Sequence, residues 1–359
     1  MVENEMKQVL ISVVIPAFRS GPLIREAIDS VNSQTFRDFE IVVVDNNASE
    51  ETRLEIQKAV KEYPKTIRVV HEPTQGNSSA RNKGIQESRG HYIALLDDDD
   101  KMYPQRLAQQ LKAILDNPDA SIVHGRIDYV AYDGISIVNA NQTNDIQDWS
   151  KILLGDLPRF STDPLRSILP SVSLFSRKLA LEVGAFDERF NPFWVEDTEF
   201  SLRMWEHGPF FEVPHPLVAF RLPSKEFLKE KRTGVSSWIQ ARRNMNLFFS
   251  ILVTKYYVLG NPDIENRFKR IRSQWLREVA QDILRVRDGR KFSRSLLKRA
   301  LRDQPNDYKN WKWYFRSFFP EKFLSSSLGS EGFYDGNIND YIDQDFLEFF
   351  LTIPEEKSE

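Results

Sequence analysis

Between residues 9 and 96, four short apolar runs alternate with single amphipathic stretches, and few folds accept that alternation. The runs cover residues 9–15, 40–45, 67–71 and 92–96, each of strand length and mostly rich in Val and Ile. Ile41-Val42-Val43-Val44 is apolar at every position, which suits a strand covered on both faces. Leu23, Ala27, Ile28 and Val31 recur near helical spacing within 22–34. Ser49, followed by Glu50 and Glu51, suits the capped and dipole-matched start of a second helix over 49–63. A third helix is expected over 79–87. Repeated strand–helix–strand units predict an α/β fold with a mainly parallel sheet flanked by helices.

Such sheets bind ligands beyond the carboxyl ends of their strands. The residues falling there are Pro16-Ala17-Phe18-Arg19, Asp45-Asn46-Asn47, His71-Glu72-Pro73 and Asp97-Asp98-Asp99-Asp100. No Gly-x-Gly-x-x-Gly follows the first strand, which argues against a dinucleotide-dependent dehydrogenase, and no Walker loop is present. Four adjacent carboxylates repel one another and call for a counter-charge. Their oxygens are ligands that Mg²⁺ or Mn²⁺ accept. In an extended segment Asp97 and Asp99 point one way and Asp98 the other. A solvated acidic turn, followed by a helix from Pro104 to about residue 116, is the competing account of the same residues. The loop Gly76-Asn77-Ser78-Ser79 likewise has two accounts: an anion site at a helix start, helped by Arg81, or plain capping by Ser78 or Ser79.

Downstream, strands are expected over 121–127, 135–138 and 171–175, with a turn at Asp133-Gly134 and a polar loop over 139–150. A short helix suits 178–183. Glu196 and Asp197 fall at the start of a helix reaching about residue 207, where the dipole favours acids. Beyond 236 the pattern is mostly helical, basic over 265–302 and acidic over 331–359. Trp311, Tyr314, Phe315 and Phe318 recur at helical spacing beside Lys309, Lys312, Arg316 and Lys322. That pattern is a buried aromatic stripe or a helix lying in a membrane interface. Three regions follow: 1–225, a helical 226–330 and an acidic tail over 331–359.

Composition removes other options. A net charge of -3 gives no basic field for nucleic acid, and the absence of cysteine excludes disulfides, thiolate metal sites and a Cys nucleophile. The start of the chain is acidic, unlike a signal peptide, and the apolar run over 247–253 is too short to span a bilayer. A cytoplasmic location is expected, with peripheral contact to a membrane left open. The oligomeric state is not encoded in any feature of the sequence.

Six landmarks then fall in one order: Val14-Ile15-Pro16-Ala17-Phe18, Ile41-Val42-Val43-Val44-Asp45-Asn46, Ser79-Ala80-Arg81-Asn82-Lys83-Gly84, Tyr92 through Asp100, Gly184-Ala185-Phe186-Asp187, and Glu196-Asp197 with Arg203. Through about residue 223 the chain resembles family-2 glycosyltransferases of GT-A fold, with a C-terminal helical extension outside the likeness. The resemblance implies that Asp45 accepts the N3–H of a uracil and that Pro16, Ala17 and Phe18 hold base and ribose. Arg19, Asn47, Arg81, Asp97 and Asp98 join them in binding the donor, Asp97 towards the ribose. Asp99 implies a ligand to Mg²⁺ or Mn²⁺. Asp197 would be the general base, and Glu196 would hold the acceptor or orient the helix start.

The implied reaction moves a sugar, with inversion, from a UDP-sugar to a hydroxyl of a glycan or lipid-linked acceptor, in cell-surface polysaccharide synthesis. One position departs from the family: Phe220-Arg221-Leu222-Pro223 has Pro where a His is common. Lys225, Lys229, Lys231 and Arg232 could compensate, or form a solvated basic loop. Two other readings stay open. A nucleotidyltransferase should carry a Gly-rich signature and early basic residues, of which only Arg19 is present. A degenerate transferase would keep the fold as a binding module.

Overall fold

In the computed structural model the described residues are 9–132, 134, 168–192, 194–222, 244, 247, 248, 251, 262–284, 286, 287, 289–319 and 334–337. Two compact units divide the chain, residues 1–229 and 230–359. The first opens with β1 (Ile11–Ala17), α1 (Leu23–Asn32), β2 (Phe39–Asp45), α2 (Glu50–Glu62), β3 (Ile67–His71), α3 (Asn77–Glu87) and β4 (Tyr92–Leu95). It continues through β5 (Lys101–Met102), α4 (Arg106–Asp116), β6 (Ile122–Val130), β7 (Ser173–Ser176), α5 (Arg177–Glu182), α6 (Glu196–Trp205) and β8 (Phe210–Arg221).

The sheet runs β3-β2-β1-β4-β7-β6-β8-β5. The pairs β3–β2, β2–β1, β1–β4 and β6–β8 are parallel, whereas β7 is antiparallel to both neighbours and β5 is antiparallel to β8. Mixed α/β with a mainly parallel sheet is therefore the observed fold. The period of two in β1 and β2 explains why Val13 to Ile15 and Ile41 to Val44 are apolar at every position. Val13, Ile15, Ile41 and Val43 enter one core with α1, α2 and α4, while Val14, Val42 and Val44 enter a second with α3, α5 and α6. Each such side chain, fully withdrawn from water, contributes about 1.5–3 kcal/mol. Close packing also fixes Gly84. A Cβ there would lie 2.2 Å from Cγ1 of Val14, so α3 sits against the sheet only because that position has no side chain.

Register delivers the site. Ala17 pairs with Asp45 and Asp45 with His71, so β1, β2 and β3 end level along one edge. β4 lies on the opposite side of β1 from β2, and the strand order reverses at that point.

Several local expectations change. The acidic run is a turn rather than an extended strand end, closed by the Asp100 N–H donating to the Asp97 carbonyl at 3.2 Å. The alternation of Asp97, Asp98 and Asp99 on opposite sides therefore does not apply. β5 emerges directly from that turn, and α4 begins after Pro104. Helix α3 starts two residues early, at Asn77 after Gly76, and neither Ser78 nor Ser79 caps it. Instead the Ser78 hydroxyl donates to the Asp187 carbonyl at 3.0 Å. Ser49 does cap α2, accepting from the Thr52 N–H at 3.3 Å. Strand β6 runs on to Val130, and Gly134 turns with positive φ. Asp133, the expected strand over 135–138 and the loop over 139–150 lie outside the described residues.

In the second unit, α7 (Pro262–Ile283), α8 (Arg290–Asp303) and α9 (Tyr308–Arg316) pack around Leu276, Val279, Ala280, Ile283, Leu296, Leu297 and Ala300. Buried Arg272 grips Asp303 through two bonds of 2.7 and 2.5 Å, and Asn310 donates to the Ser273 hydroxyl at 2.8 Å. A two-stranded pair joins β9 (Val286–Arg287) to β10 (Tyr334–Asn337). Among the described residues no helix is long and apolar enough to cross a membrane.

Candidate active site

The ends of β1, β2 and β4 are laced together by polar contacts. Asn46, just past β2, donates to the Ala17 carbonyl through its backbone at 3.0 Å. Its side chain donates to the carbonyls of Glu72 and Thr74 at 2.9 and 2.7 Å and accepts from the Gly76 N–H at 2.9 Å. One buried amide thus joins the ends of three strands to the start of α3. Asn47 adopts positive φ and donates to the Pro73 carbonyl at 2.9 Å. The sequence places Asn46 in the run after the second strand and at the end of one family landmark, with no role of its own.

Asp45 is held on two sides. Oδ1 accepts the Ala48 N–H at 2.8 Å, and Arg53 of α2 approaches at 2.8 and 3.2 Å. Burial works against its charge, but Arg53 and the Ala48 N–H prevail and hold the carboxyl below the usual carboxylate range. Three of about four lone-pair sites are used, which leaves room for one further N–H donor.

After β1, the Phe18 N–H donates to Oδ2 of Asp98 at 2.9 Å, and the Arg19 guanidinium lies 4.8 Å from the half-exposed Phe18 ring. Pro16 and Ala17 are the last residues of β1, with Pro16 paired to Val44. Asp98 is therefore the pin between the ends of β1 and β4, a role its place in the acidic run did not suggest.

The acidic turn is held by residues next to β7 and on β8. The Asp97 N–H donates to the Ser171 hydroxyl at 2.9 Å. Oδ1 of buried Asp100 accepts the Arg221 N–H at 2.8 Å, and the Arg221 Nε donates to the Asp99 carbonyl at 2.8 Å. Arg221 also meets Glu26 at 2.9 Å. Burial, reinforced by repulsion between neighbours, pushes the carboxyls of Asp98, Asp99 and Asp100 above the usual range. Asp99 has no hydrogen-bond donor from another residue on its carboxylate among the described residues. A desolvated carboxylate short of positive charge fits a hard divalent cation. No group of three or more metal-ligating side chains forms among the described residues. Residues 223–243, with Pro223, Lys225, Lys229, Lys231 and Arg232, lie outside the described residues.

Arg81 connects this turn to α6. It is buried and donates to Asp97 at 3.1 Å through one nitrogen and to Glu196 at 2.8 Å through another. Its guanidinium lies 5.4 Å from the Phe186 ring. Glu196 is itself buried and accepts from the Asn77 side chain at 3.1 Å. Burial raises its pKa, against the opposing charge of Arg81. The N–H groups that begin α3 are similarly occupied: Gly76 by Asn46, Asn77 by the Pro192 carbonyl at 2.8 Å and Ser79 by Asn191 at 3.4 Å. That helix start, for which the sequence leaves an anion site and plain capping open, makes these contacts within the protein.

Asp197 follows Glu196 on α6 and is less buried. Its Oδ1 accepts the Thr198 N–H at 2.7 Å, which fixes the carboxylate at the helix start. Trp194 and Val195 precede it with positive φ, a strained backbone for bulky and β-branched residues. The strain is held by surrounding contacts. Arg203 grips Glu199 at 2.7 and 2.6 Å and donates to the Ala185 carbonyl at 2.6 Å. Asn82 pairs with both backbone groups of Phe186 at 2.8 Å, and Phe186 stacks on Phe200 at 4.2 Å. The landmarks around Asn82, Phe186 and Arg203 are one assembly that seats the start of α6.

The description "Glycosyl transferase family 2" matches residues 12–184. An uncharacterized glycosyltransferase of Methanocaldococcus jannaschii is 32% identical over 228 residues, which are 62% of this chain and 74% of that protein. An uncharacterized glycosyltransferase of Rickettsia felis is 31% identical over 182 residues, half of this chain but only 29% of that protein. The chain therefore spans less than a third of that longer relative. Among solved structures, S. aureus TarS is similar in fold, with a TM-score of 0.54 and 16% identity over 83% of this chain and 49% of that one.

Proposed function

The chain belongs to glycosyl transferase family 2, and on that footing we propose that it carries a sugar from a UDP-sugar to a hydroxyl of a glycan or lipid-linked acceptor, inverting the anomeric centre. One observation carries the reading: a single buried guanidinium, that of Arg81, ties the acidic turn at Asp97 to the helix start that bears Asp197. Donor-side and acceptor-side carboxylates are thereby held within reach of one side chain. Surface polysaccharide synthesis is the setting that such a reaction suits.

In this reading Asp45 uses its remaining lone pair for the base, and Asp98 keeps the Phe18 backbone in place beside the ribose. Asp99 would hold Mg²⁺ or Mn²⁺, which when bound supplies positive charge to the leaving diphosphate. Asp197 takes the proton of the acceptor hydroxyl as its oxygen bonds to the anomeric carbon and the bond to the diphosphate oxygen breaks. A helix start favours the charged form of that carboxylate. Displacement from the side opposite the leaving group inverts the centre, in parallel with the water-activating carboxylate of inverting glycosidases.

A panel of nucleotide-sugars, assayed for release of nucleoside diphosphate with and without Mn²⁺, tests the proposal. Release of UDP from one UDP-sugar, stimulated by Mn²⁺, is expected. Binding of UDP without turnover of any donor or acceptor would favour a binding module, and turnover confined to other nucleotides would remove the uridine assignment.

A further inference from the structure

We propose that the face of the C-terminal unit made by α9 and the adjoining side of α8 docks on an anionic lipid surface. The reading goes beyond the donor chemistry and does not depend on it. Helix α9 divides its aromatics between two jobs. Trp313 and Tyr314 pack against the helical core, and Asn310 and Ser317 are fully buried. Trp311, Phe315, Phe318 and Phe319 are left 43%, 58%, 55% and 54% exposed. Their spacing of four, three and one puts them on one flank of the helix and its trailing turn. They form a continuous strip, with Trp311 stacked on Phe315 at 5.8 Å and Phe318 edge-on to Tyr314 at 5.3 Å.

Charge says what covers that strip. Residues 289–319 contain nine Lys and Arg against two Asp. Both acids are engaged from α7, Asp303 by Arg272 at 2.5 Å and Asp307 by Arg277 at 2.5 Å. The only charged residues between 308 and 319 are Lys309, Lys312 and Arg316, which lie beside the aromatic strip on the helix. On its other side the Arg294 guanidinium sits 4.9 Å from the Phe318 ring. A second copy of the same face would bring like charges together, which disfavours self-association through it. A lipid surface supplies both complements: phosphates for the cations and an interfacial zone for Trp and Phe.

The test is co-sedimentation of the full chain with vesicles of phosphatidylcholine alone or mixed with phosphatidylglycerol, at low and high salt. Binding to the anionic vesicles at low salt, weakened by salt, is expected. Trp311→Ser with Phe315→Ser, and separately Lys309→Glu with Lys312→Glu, should each lower the partition about tenfold or more. These side chains are exposed, so the melting curves should match the parent. As a check independent of folding, brominated lipid should quench the parent's tryptophan emission, and Trp311→Phe should remove that component. Absence of binding to anionic vesicles overturns the proposal. So does binding that survives both double substitutions, quenching that Trp311→Phe leaves intact, or an aromatic strip whose loss alters only the oligomeric state.

Discussion

Arg81 and Glu196, 115 positions apart in the chain, meet at 2.8 Å with side chains only 4% and 6% exposed. The same guanidinium reaches Asp97, so the turn after β4 and the start of α6 share one buried cation. Buried pairs contribute little compared with an apolar substitute, but breaking one leaves an uncompensated charge. Arg81→Leu should therefore lower stability by about 3–5 kcal/mol in urea titrations and abolish turnover. Arg81→Leu combined with Glu196→Leu should recover part of the stability without recovering activity. A single mutant as stable as the parent would show that the bridge does not hold the two elements.

Asp45 separates structural from donor-binding roles. Asp45→Asn should weaken UDP binding by about 1–3 kcal/mol, the usual loss for a charge-assisted bond, as read by calorimetry. Arg53→Ala removes its ion-pair partner and should leave UDP affinity equal or stronger. The pH dependence has a defined sign. Because the folded carboxyl lies below its ordinary value, its stabilising effect is complete above about pH 4 and fades as pH falls through the folded pKa. Asp45→Asn should flatten that acid limb of the stability curve.

How much of this was legible follows from the range of the contacts. Val13, Val14, Ile41 and Val42 are read correctly because alternation is local and both faces of their strands are buried. Strand β8 is hard to read because Pro214 and Pro216 interrupt it and its register against β6 shifts at Arg126. Strand β5 has only two residues, too few for any periodicity. In the site, the residue types and their order were visible, while their partners were not. Nothing near Arg81 in the chain announces Glu196, and nothing near Asp98 announces the Phe18 N–H. The aromatic stripe shows the same limit: spacing put Trp311 and Tyr314 on one helix, but only packing separates the core ring from the exposed one.

The acidic turn predicts different outcomes for neighbouring carboxylates. Asp99→Ala should remove Mn²⁺ stimulation, while stability without metal stays level or rises, because a half-buried carboxylate crowded by Asp98 and Asp97 is lost. Asp98→Ala should instead weaken donor binding, since the Phe18 N–H loses its acceptor. In an extended segment the same side chain would point away from Asp97 and Asp99. Turnover with and without EDTA, beside donor affinity, distinguishes the two, and equal effects from both would undo the separate roles.

Glu196 and Asp197 give the decisive comparison. Adjacent positions on a helix point about 100° apart, so one carboxylate can face the acceptor while the other faces inward. Glu196 is the inward one, enclosed by Arg81 and Asn77. Asp197 is the less buried, its Oδ1 set by the Thr198 N–H. Asp197→Asn keeps the shape and cannot accept a proton. It should lower turnover by about 10²–10⁴-fold while donor affinity stays nearly unchanged. Glu196→Gln retains an acceptor for Asn77 but removes the charge that balances Arg81, so its effect should appear first in the melting curve. If Glu196→Gln instead cuts turnover at unchanged stability, and Asp197→Asn does not, the base is Glu196. If neither change slows transfer, the pair serves only to seat α6 against the sheet.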